Sequence, residues 1–431
     1  MKKKRIMNIA IVGLGNIGSY LYKFLSANIK QLEKKNTSKP KIIFISAKNI
    51  KKKRKIKIPK SKWLKNYMDA AKSKKVDIIV ELIGGAEGPA KNLVFSALKN
   101  KKHVVTANKA LIAKYGDDLS KIAEKNKVNL EYEAAVCGGV PIIRSLKEGL
   151  IANRISKVQG VLNGTSNYIL TSMYKDKLSF QKALKKAQDL GYAEANPSSD
   201  INGDDVASKL KILSSLCFNS FLNNKIHIEG INFIDKKDII NADKLGYKIK
   251  LLGIAELINN KICQRVHPSL VKKTSYIASI DGVLNAVIVD GDPVGQSTIQ
   301  GEGAGPEATT SALISDISSI LRGNIKYPFS ISKKQRKKII SDDMINRVFS
   351  AYIKLDVKDK HGVLSNITSI FSSNRVSIKR LIQDPNPNKL SSSIVIITHN
   401  CKNDLLTKSL KKLEKKAYII GKPKLIRIEN D

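Results

Sequence analysis

The sequence predicts an α/β protein in three parts: an open parallel sheet, a central α+β unit and a small C-terminal unit. Three observations carry this reading. A short apolar run, Asn8–Val12, leads directly into Gly13-Leu14-Gly15-Asn16-Ile17-Gly18 and an amphipathic helix. Strand and helix patterns then alternate to about residue 135, as a parallel sheet with crossover helices requires. The last part of the chain, about 80 residues, orders its segments βαββαβ. The first part is therefore expected to be of Rossmann type and the last ferredoxin-like.

In the N-terminal part, 1–135, the glycines fit G-x-G-x-x-G. Gly13 makes the tight turn, Gly15 admits a pyrophosphate to the backbone, and Gly18 lets helix and strand pack closely. Leu14, Asn16 and Ile17 complete the loop, and the free amides at the start of the helix, Ile17 to about Gln31, face the phosphates. The second strand, Lys41–Ser46, is followed by Ala47, Lys48 and Asn49 and then by KKKRK at 51–55. An acidic residue usually holds the ribose hydroxyls of NAD at this place. Lysines here, Lys48 first, favour the 2′-phosphate of NADP, with NAD still possible; a lysine-rich solvated loop explains them equally. Strand Val76–Leu82 ends at Ile83-Gly84-Gly85, placing Gly84 at the cofactor. A helix over 89–100, a strand at Val104-Val105, the segment TANKALIA and a strand over 128–132 complete the alternation, and a helix over 305–322 returns to this sheet.

The grammar changes in 136–304. A helix-rich region precedes strands around Ile262–Val266 and Val283–Val289, and an apolar helix, Ser311–Leu321, follows. Residues 323–348 read as a linker, since Tyr327–Val348 is polar, basic and weakly periodic. The C-terminal unit, 349–431, runs as strand Ala351–Val357, helix Leu364–Ser373, strand Val376–Gln383, turn 384–388, strand Ser392–Thr398, helix Asp404–Lys415 and strand Tyr418–Ile428.

The net charge of +40 is almost all lysine, spread along the chain with abundant Ile and Asn. Arginine, the better reader of phosphates and bases, is scarce, and no nucleic-acid-binding motif spacing occurs. A codon bias explains the charge better than nucleic acid does. Four scattered cysteines and five histidines show neither disulfide nor metal-ligand spacing. No apolar run reaches the roughly 18 residues of a membrane span. A cytoplasmic protein is expected.

The densest ionisable stretch is Ala187–Lys209. Asn196-Pro197 is expected to stop one helix, and Gly203-Asp204-Asp205 to open the next, where carboxylates suit the positive end of the dipole. Asp205 and Lys209, four apart, share a face of that helix. Alone, the pattern is either a solvated helix start or a site that binds a polar substrate and moves a proton.

These segments together resemble homoserine dehydrogenases: GLGNIG, VELIGG, HVVTANKALIAKYG, EYEAAVCGGVPIIRSL, GVLNGTSNYILT, the Ala187–Lys209 stretch, GYKIKLLGIA, VHP and GAG appear in that family's order, over roughly residues 6 to 322. The tail, with DKHGVLSNITSIF, resembles an ACT domain. No kinase-like segment precedes the rest, which is similar to the family's monofunctional form. The departures are Asn196 for a commoner Asp, Glu302 and Pro306 around GAG, and His361 where ACT domains often carry Pro.

The resemblance implies reversible hydride transfer between NAD(P)H and L-aspartate 4-semialdehyde, giving L-homoserine. It implies that Lys209 is the proton donor, that Lys109 touches both cofactor and substrate, and that Asp205 is the polar partner beside Lys209. Glu194 and Asp200 are implied as anchors for the substrate's ammonium and hydroxyl. Asn163, Gly164 and Thr165 either bind substrate or shape a turn. Gly303 and Gly305 approach the nicotinamide side. Glu133, Val136, Gly138 and Val140 match a loop that holds a monovalent cation, Na+ or K+, chiefly through backbone oxygens. Asp359, Gly362, Val363 and Leu364 form the ACT effector turn, with threonine as the implied effector and a homodimer or homotetramer as the implied assembly. A second lysine lowers the pKa of Lys209 and Asp205 raises it; the sequence leaves that balance open. The alternative is a regulatory protein sensing nucleotide and amino acid on the same scaffold.

Overall fold

The computed structural model describes residues 4–222, 226–386 and 390–429. Five parallel strands, β1 (Ile6–Val12), β2 (Lys39–Ser46), β3 (Ile78–Glu81), β4 (His103–Thr106) and β5 (Leu130–Glu131), form the first sheet in the order β2-β1-β3-β4-β5. The helices Asn16–Lys35 and Pro306–Leu321 cover one face, burying Leu21, Leu25, Leu313 and Ile317 against Ile9 and Ile11. Helices Pro89–Lys99 and Lys109–Asn126 cover the other. Strand order reverses between β1 and β3, and the crevice at their carboxyl ends is where such a sheet binds its ligand.

The central unit contributes β6 (Arg154–Val161), β7 (His227–Ile228), β8 (Tyr247–Ile258), β9 (Lys261–Lys272), β10 (Leu284–Asp292) and β11 (Gly295–Glu302). Here the chain is richer in strand than its sequence suggests. β6, β7, β8 and β11 were unexpected, and β9 continues well past Val266. The helix Phe180–Asp189 ends at Leu190-Gly191, ahead of the expected stop at Asn196-Pro197, because Gly191 takes the left-handed conformation (φ 75°). Pro197 instead caps a short helix, Ser198–Ile201.

A two-residue strand, β12 (Ile340–Ser341), pairs with β9. The C-terminal unit follows as β13 (Val348–Lys358), β14 (Ile378–Asn386), β15 (Ser391–Thr398), β16 (Cys401–Lys402) and β17 (Ile419–Ile428), ordered β17-β13-β15-β14 with helices Val363–Ser373 and Asn403–Glu414. Strand β14 runs through the first part of the expected 384–388 turn, and residues 387–389 lie outside the described residues. β17 pairs in parallel with β9 through Arg427 and Ile428, so the C-terminal sheet continues the central one. The helix Lys236–Lys244 meets its open face: Lys354 reaches Asp235 at 2.7 Å and Lys424 reaches Asp238 at 2.9 Å.

Residues 323–348 connect the two units and are also anchored. Phe329 is buried between Tyr132 and Phe221, with ring centroids 5.4 and 5.5 Å away, while Arg336 pairs with Asp117 and Glu124. The anchors are too widely spaced to produce a periodic signal. Phe329→Ala should cost about 3 kcal/mol. Urea unfolding measures it, and an unchanged midpoint would show that this segment carries no packing energy.

Candidate active site

Each fingerprint glycine has a distinct reason to lack a side chain. Gly13 adopts φ +104°, and a Cβ there would overlap the Leu82 carbonyl; one on Gly18 would overlap the carbonyl of Gly13. Above Gly15 there is open space. The loop thus packs closely underneath and is bare on the side facing a cavity of about 480 Å³, bounded by Asn16, Ile17, Gly84 and Asn108. The helix from Asn16 has no side-chain cap, leaving its first amides for an anion. These features fit a dinucleotide's pyrophosphate.

Two residues not foreseen from the sequence shape this cleft. Glu81, fully buried, accepts hydrogen bonds from the amides of Ile83 and Gly84 and from the Thr106 hydroxyl, at 2.7, 3.0 and 2.6 Å. Asn108 accepts from the Leu111 amide, capping the next helix, and donates to the Gly85 carbonyl. Beyond β2 no carboxylate is found at 47–49; Lys48 is exposed, and Arg54 donates to the Leu14 carbonyl at 3.1 Å, laying the basic loop over the fingerprint.

Lys109 is the first residue of the helix that Asn108 caps, and its ammonium pairs with Asp205. Asp205 is 4% exposed and bridges both lysines: Oδ1 lies 2.5 Å from Lys109 Nζ, and Oδ2 lies 2.8 Å from Lys209 Nζ. Lys209 Nζ also donates to the Leu162 carbonyl at 2.6 Å. Asn163 Nδ2 donates to Asp205 and to Asp200, at 2.9 and 2.7 Å, tying both carboxylates to the turn before helix Gly164–Lys175.

Burial works against the Lys209 ammonium, but Asp205, with Cys137 and Asp200, outweighs it and raises the pKa above its ordinary value. Burial likewise works against the Asp205 carboxylate, and Lys209, Lys109 and Asn163 together hold it well below the usual carboxylate range. The balance left open by the sequence therefore favours a charged Lys209.

The remaining expected residues divide. Glu194 is exposed, and its carboxylate makes no hydrogen bond or ion pair among the described residues. Thr165 donates to the Tyr192 carbonyl at 2.7 Å, and a Cβ on Gly164 would crowd Val283, so both visibly shape the turn. Asn285, fully buried and not foreseen, donates to the same Leu162 carbonyl as Lys209 and packs against Gly303. Gly305 takes φ +108° at the start of helix Pro306–Leu321.

Loop 136–140 lies against that turn: Gly138 (φ +49°) abuts Gly303, and the Gly139 amide donates to the Glu302 carbonyl at 3.0 Å. Val136 and Val140 are buried beside it. Glu133 accepts from the Ile143 and Arg144 amides at 2.8 Å, while burial pushes its carboxyl up to about 6 against those bonds. Among the described residues no three His, Cys, Asp or Glu converge as a metal site, so a cation here would rest on backbone oxygens.

In the C-terminal unit Gly362 (φ +79°) opens helix Val363–Ser373 without a side-chain cap. Asp359 Oδ2 accepts from Ser392 Oγ at 3.0 Å; Val363 is buried and Leu364 exposed.

Residues 13–133 match the family model described as the NAD-binding domain of homoserine dehydrogenase, and residues 141–318 match the model of homoserine dehydrogenase itself. The chain belongs to the homoserine dehydrogenase family. Residues 351–417 match the ACT domain. The homoserine dehydrogenase of Helicobacter pylori is 39% identical, with all of both chains covered. That of Neisseria gonorrhoeae is 37% identical over 98% of this chain and 99% of its own. Among solved structures, the homoserine dehydrogenase of Thiobacillus denitrificans superposes with a TM-score of 0.92 at 35% identity, covering both chains fully. This homoserine dehydrogenase family member is therefore an NAD(P)-dependent oxidoreductase, and the N-terminal cleft lies within its NAD-binding domain.

Proposed function

We propose that the chain reduces the C4 carbonyl of L-aspartate 4-semialdehyde reversibly to L-homoserine, with NADPH preferred over NADH, in the biosynthesis of threonine, methionine and isoleucine. The observation that carries it is the carboxylate of Asp205 bridging Lys109 and Lys209 beside the dinucleotide cleft. A nicotinamide cofactor supplies the hydride. Lys209 gives its proton to the oxygen that becomes the alcohol, and its charge stabilises that oxygen as negative charge develops. Lys109, 42% exposed at its side chain, stands between the cleft and Asp205 and orients the carbonyl. Asp200, and Glu194 from the rim, take the substrate's ammonium and hydroxyl.

Purified chain supplied with aspartate semialdehyde should consume NADPH, and homoserine should reduce NADP+. Tight dinucleotide binding without turnover would favour the sensing protein instead. Cofactor choice is assigned to Lys48 and its basic loop. Lys48→Glu should cut the preference for NADPH over NADH at least tenfold, read as the ratio of kcat/KM values; an unchanged ratio would move that role elsewhere.

We further assign a monovalent cation to the 133–140 loop, where Glu133, Val136, Gly138 and Val140 abut the Gly303 turn. Threonine is the effector assigned to Asp359, Gly362, Val363 and Leu364. It should lower the rate of the full chain, and Asp359→Asn should weaken the effect several-fold; full inhibition of that variant would place the effector elsewhere. The protein is proposed to be cytoplasmic and to work as a homodimer or homotetramer on small molecules alone. Among the described residues no helix is long and apolar enough to cross a membrane.

A further inference from the structure

One backbone oxygen in the site carries two side chains. The carbonyl of Leu162, the residue after β6, accepts from Lys209 Nζ at 2.6 Å and from Asn285 Nδ2 at 3.0 Å. A carbonyl oxygen has two lone pairs, so both are taken. The Lys209 ammonium has three N–H groups. One goes to Leu162 and one to the Asp205 carboxylate at 2.8 Å, while the third has no partner among the described residues. The lysine side chain is only 10% exposed, so the two acceptors rather than solvent decide where that third N–H points.

Each acceptor is itself held by an asparagine. Asn163 donates to Asp205 at 2.9 Å, and its own Oδ1 accepts from the Ser166 amide at 2.8 Å. Asn285 comes from β10, where it faces Gly301 of β11, and is fully buried. Its Oδ1 has no hydrogen-bond partner among the described residues. Burying an unmatched amide oxygen is unfavourable, and a leucine of similar volume would avoid that cost. What the amide supplies at this position is therefore its donated bond to Leu162. Gly303 leaves it room to do so: a Cβ there would lie 2.2–2.4 Å from Asn285 Cγ, Nδ2 and Oδ1.

We propose that Asn285 is a positioning residue for proton transfer: by fixing the Leu162 carbonyl it aims the free N–H of Lys209 at the substrate oxygen. It acts through Lys209, and the inference rests on the reading of that lysine as the proton donor. Small errors of aim matter here. A proton donor must come within about 2.6–3.2 Å of its acceptor, and a misplacement of about 1 Å can cost about a hundredfold in rate. Without Asn285 the Leu162 carbonyl keeps Lys209 as a partner but loses the bond that ties it to β10. The ammonium stays charged, since Asp205 is untouched, yet its third N–H is no longer held in one direction.

Steady-state kinetics of the full chain, alone and in a Lys209→Ala background, test the role. Asn285→Leu, close in volume and without a donor, should lower kcat for semialdehyde reduction about tenfold or more. The KM for the semialdehyde and the Kd for NADPH should stay within about twofold, as for an interaction made in the transition state. The solvent deuterium isotope effect on kcat should rise, because a misaimed donor slows proton transfer; a loosened fold would not raise it. In the Lys209→Ala background Asn285→Leu should have almost no further effect, since residues that act as a unit are not additive. Should Asn285→Leu fail to fold, Asn285→Ala, which removes the amide without adding bulk, carries the same expectations. An unchanged kcat overturns the inference, as does a raised KM or weakened NADPH binding with no change in the isotope effect. Fully additive losses, with Lys209→Ala itself slow, overturn the positioning role alone and leave Lys209 as donor. A Lys209→Ala enzyme with near-parental kcat overturns the reading of Lys209 and this inference together.

Discussion

Lys209→Ala should lower kcat for semialdehyde reduction by at least two orders of magnitude, the scale of a lost general acid, while NADPH still binds. Nothing else among the described residues offers a buried ammonium at that point: Lys109, the other cation on Asp205, is far more exposed. Because Lys209 lies outside the dinucleotide cleft, fluorescence titration of NADPH should give a nearly unchanged Kd. A variant that keeps more than a tenth of the parental kcat would remove Lys209 from the chemistry.

Substitution of Asp205 should damage stability and pH dependence together. Asp205→Ala strands the buried Lys209 ammonium with only a carbonyl partner, a change that costs about 3–5 kcal/mol when a buried pair is broken. Asp205→Asn keeps the shape but removes the attraction that offsets burial, so the Lys209 pKa falls. The alkaline limb of the reductive kcat profile should then move to lower pH than in the parent. A limb that stays in place would show that Lys209 is not governed by Asp205.

The linkage has a definite sign at both ends of the pH scale. The lowered Asp205 contributes stability above its unfolded pKa, about 3.9, and loses it as pH falls through the folded value. The raised Lys209 contributes below about 10.4 and loses its share as pH climbs past the folded value.

Much of this molecule is written locally. The G-x-G-x-x-G loop, the glycine opening the Asp204 helix and the βαββαβ tail each depend on residues close together in the chain, and each is present. One local signal went unused. β8 and β9 form a hairpin through Asn259-Asn260, both with positive φ, a turn that asparagine favours. Counting that pair as a hairpin would have revealed β8. β11, by contrast, is a polar edge strand with no alternation to read.

Polar groups that act at long range were invisible for another reason. Asn285 matters because its amide meets Leu162, and Glu81 because it ties Ile83, Gly84 and Thr106 together. A lone Asn or Glu inside an apolar run gives no indication of a distant partner. The Asp205–Lys209 pair was legible from helical spacing. That Lys109 completes it required the fold.

The parallel pairing of β17 with β9 bears on how regulation can be moved between enzymes of this kind. Swapping the last 80 or so residues would take Glu429 from Arg265 and both lysines from Asp238, leaving several charges orphaned in the recipient. A chimaera would inherit a defective seam before it inherited any control. Transplantable regulation in this chain has its boundary inside the catalytic sheet, and a successful graft must carry β9 and the Asp235–Asp238 turn along with the tail.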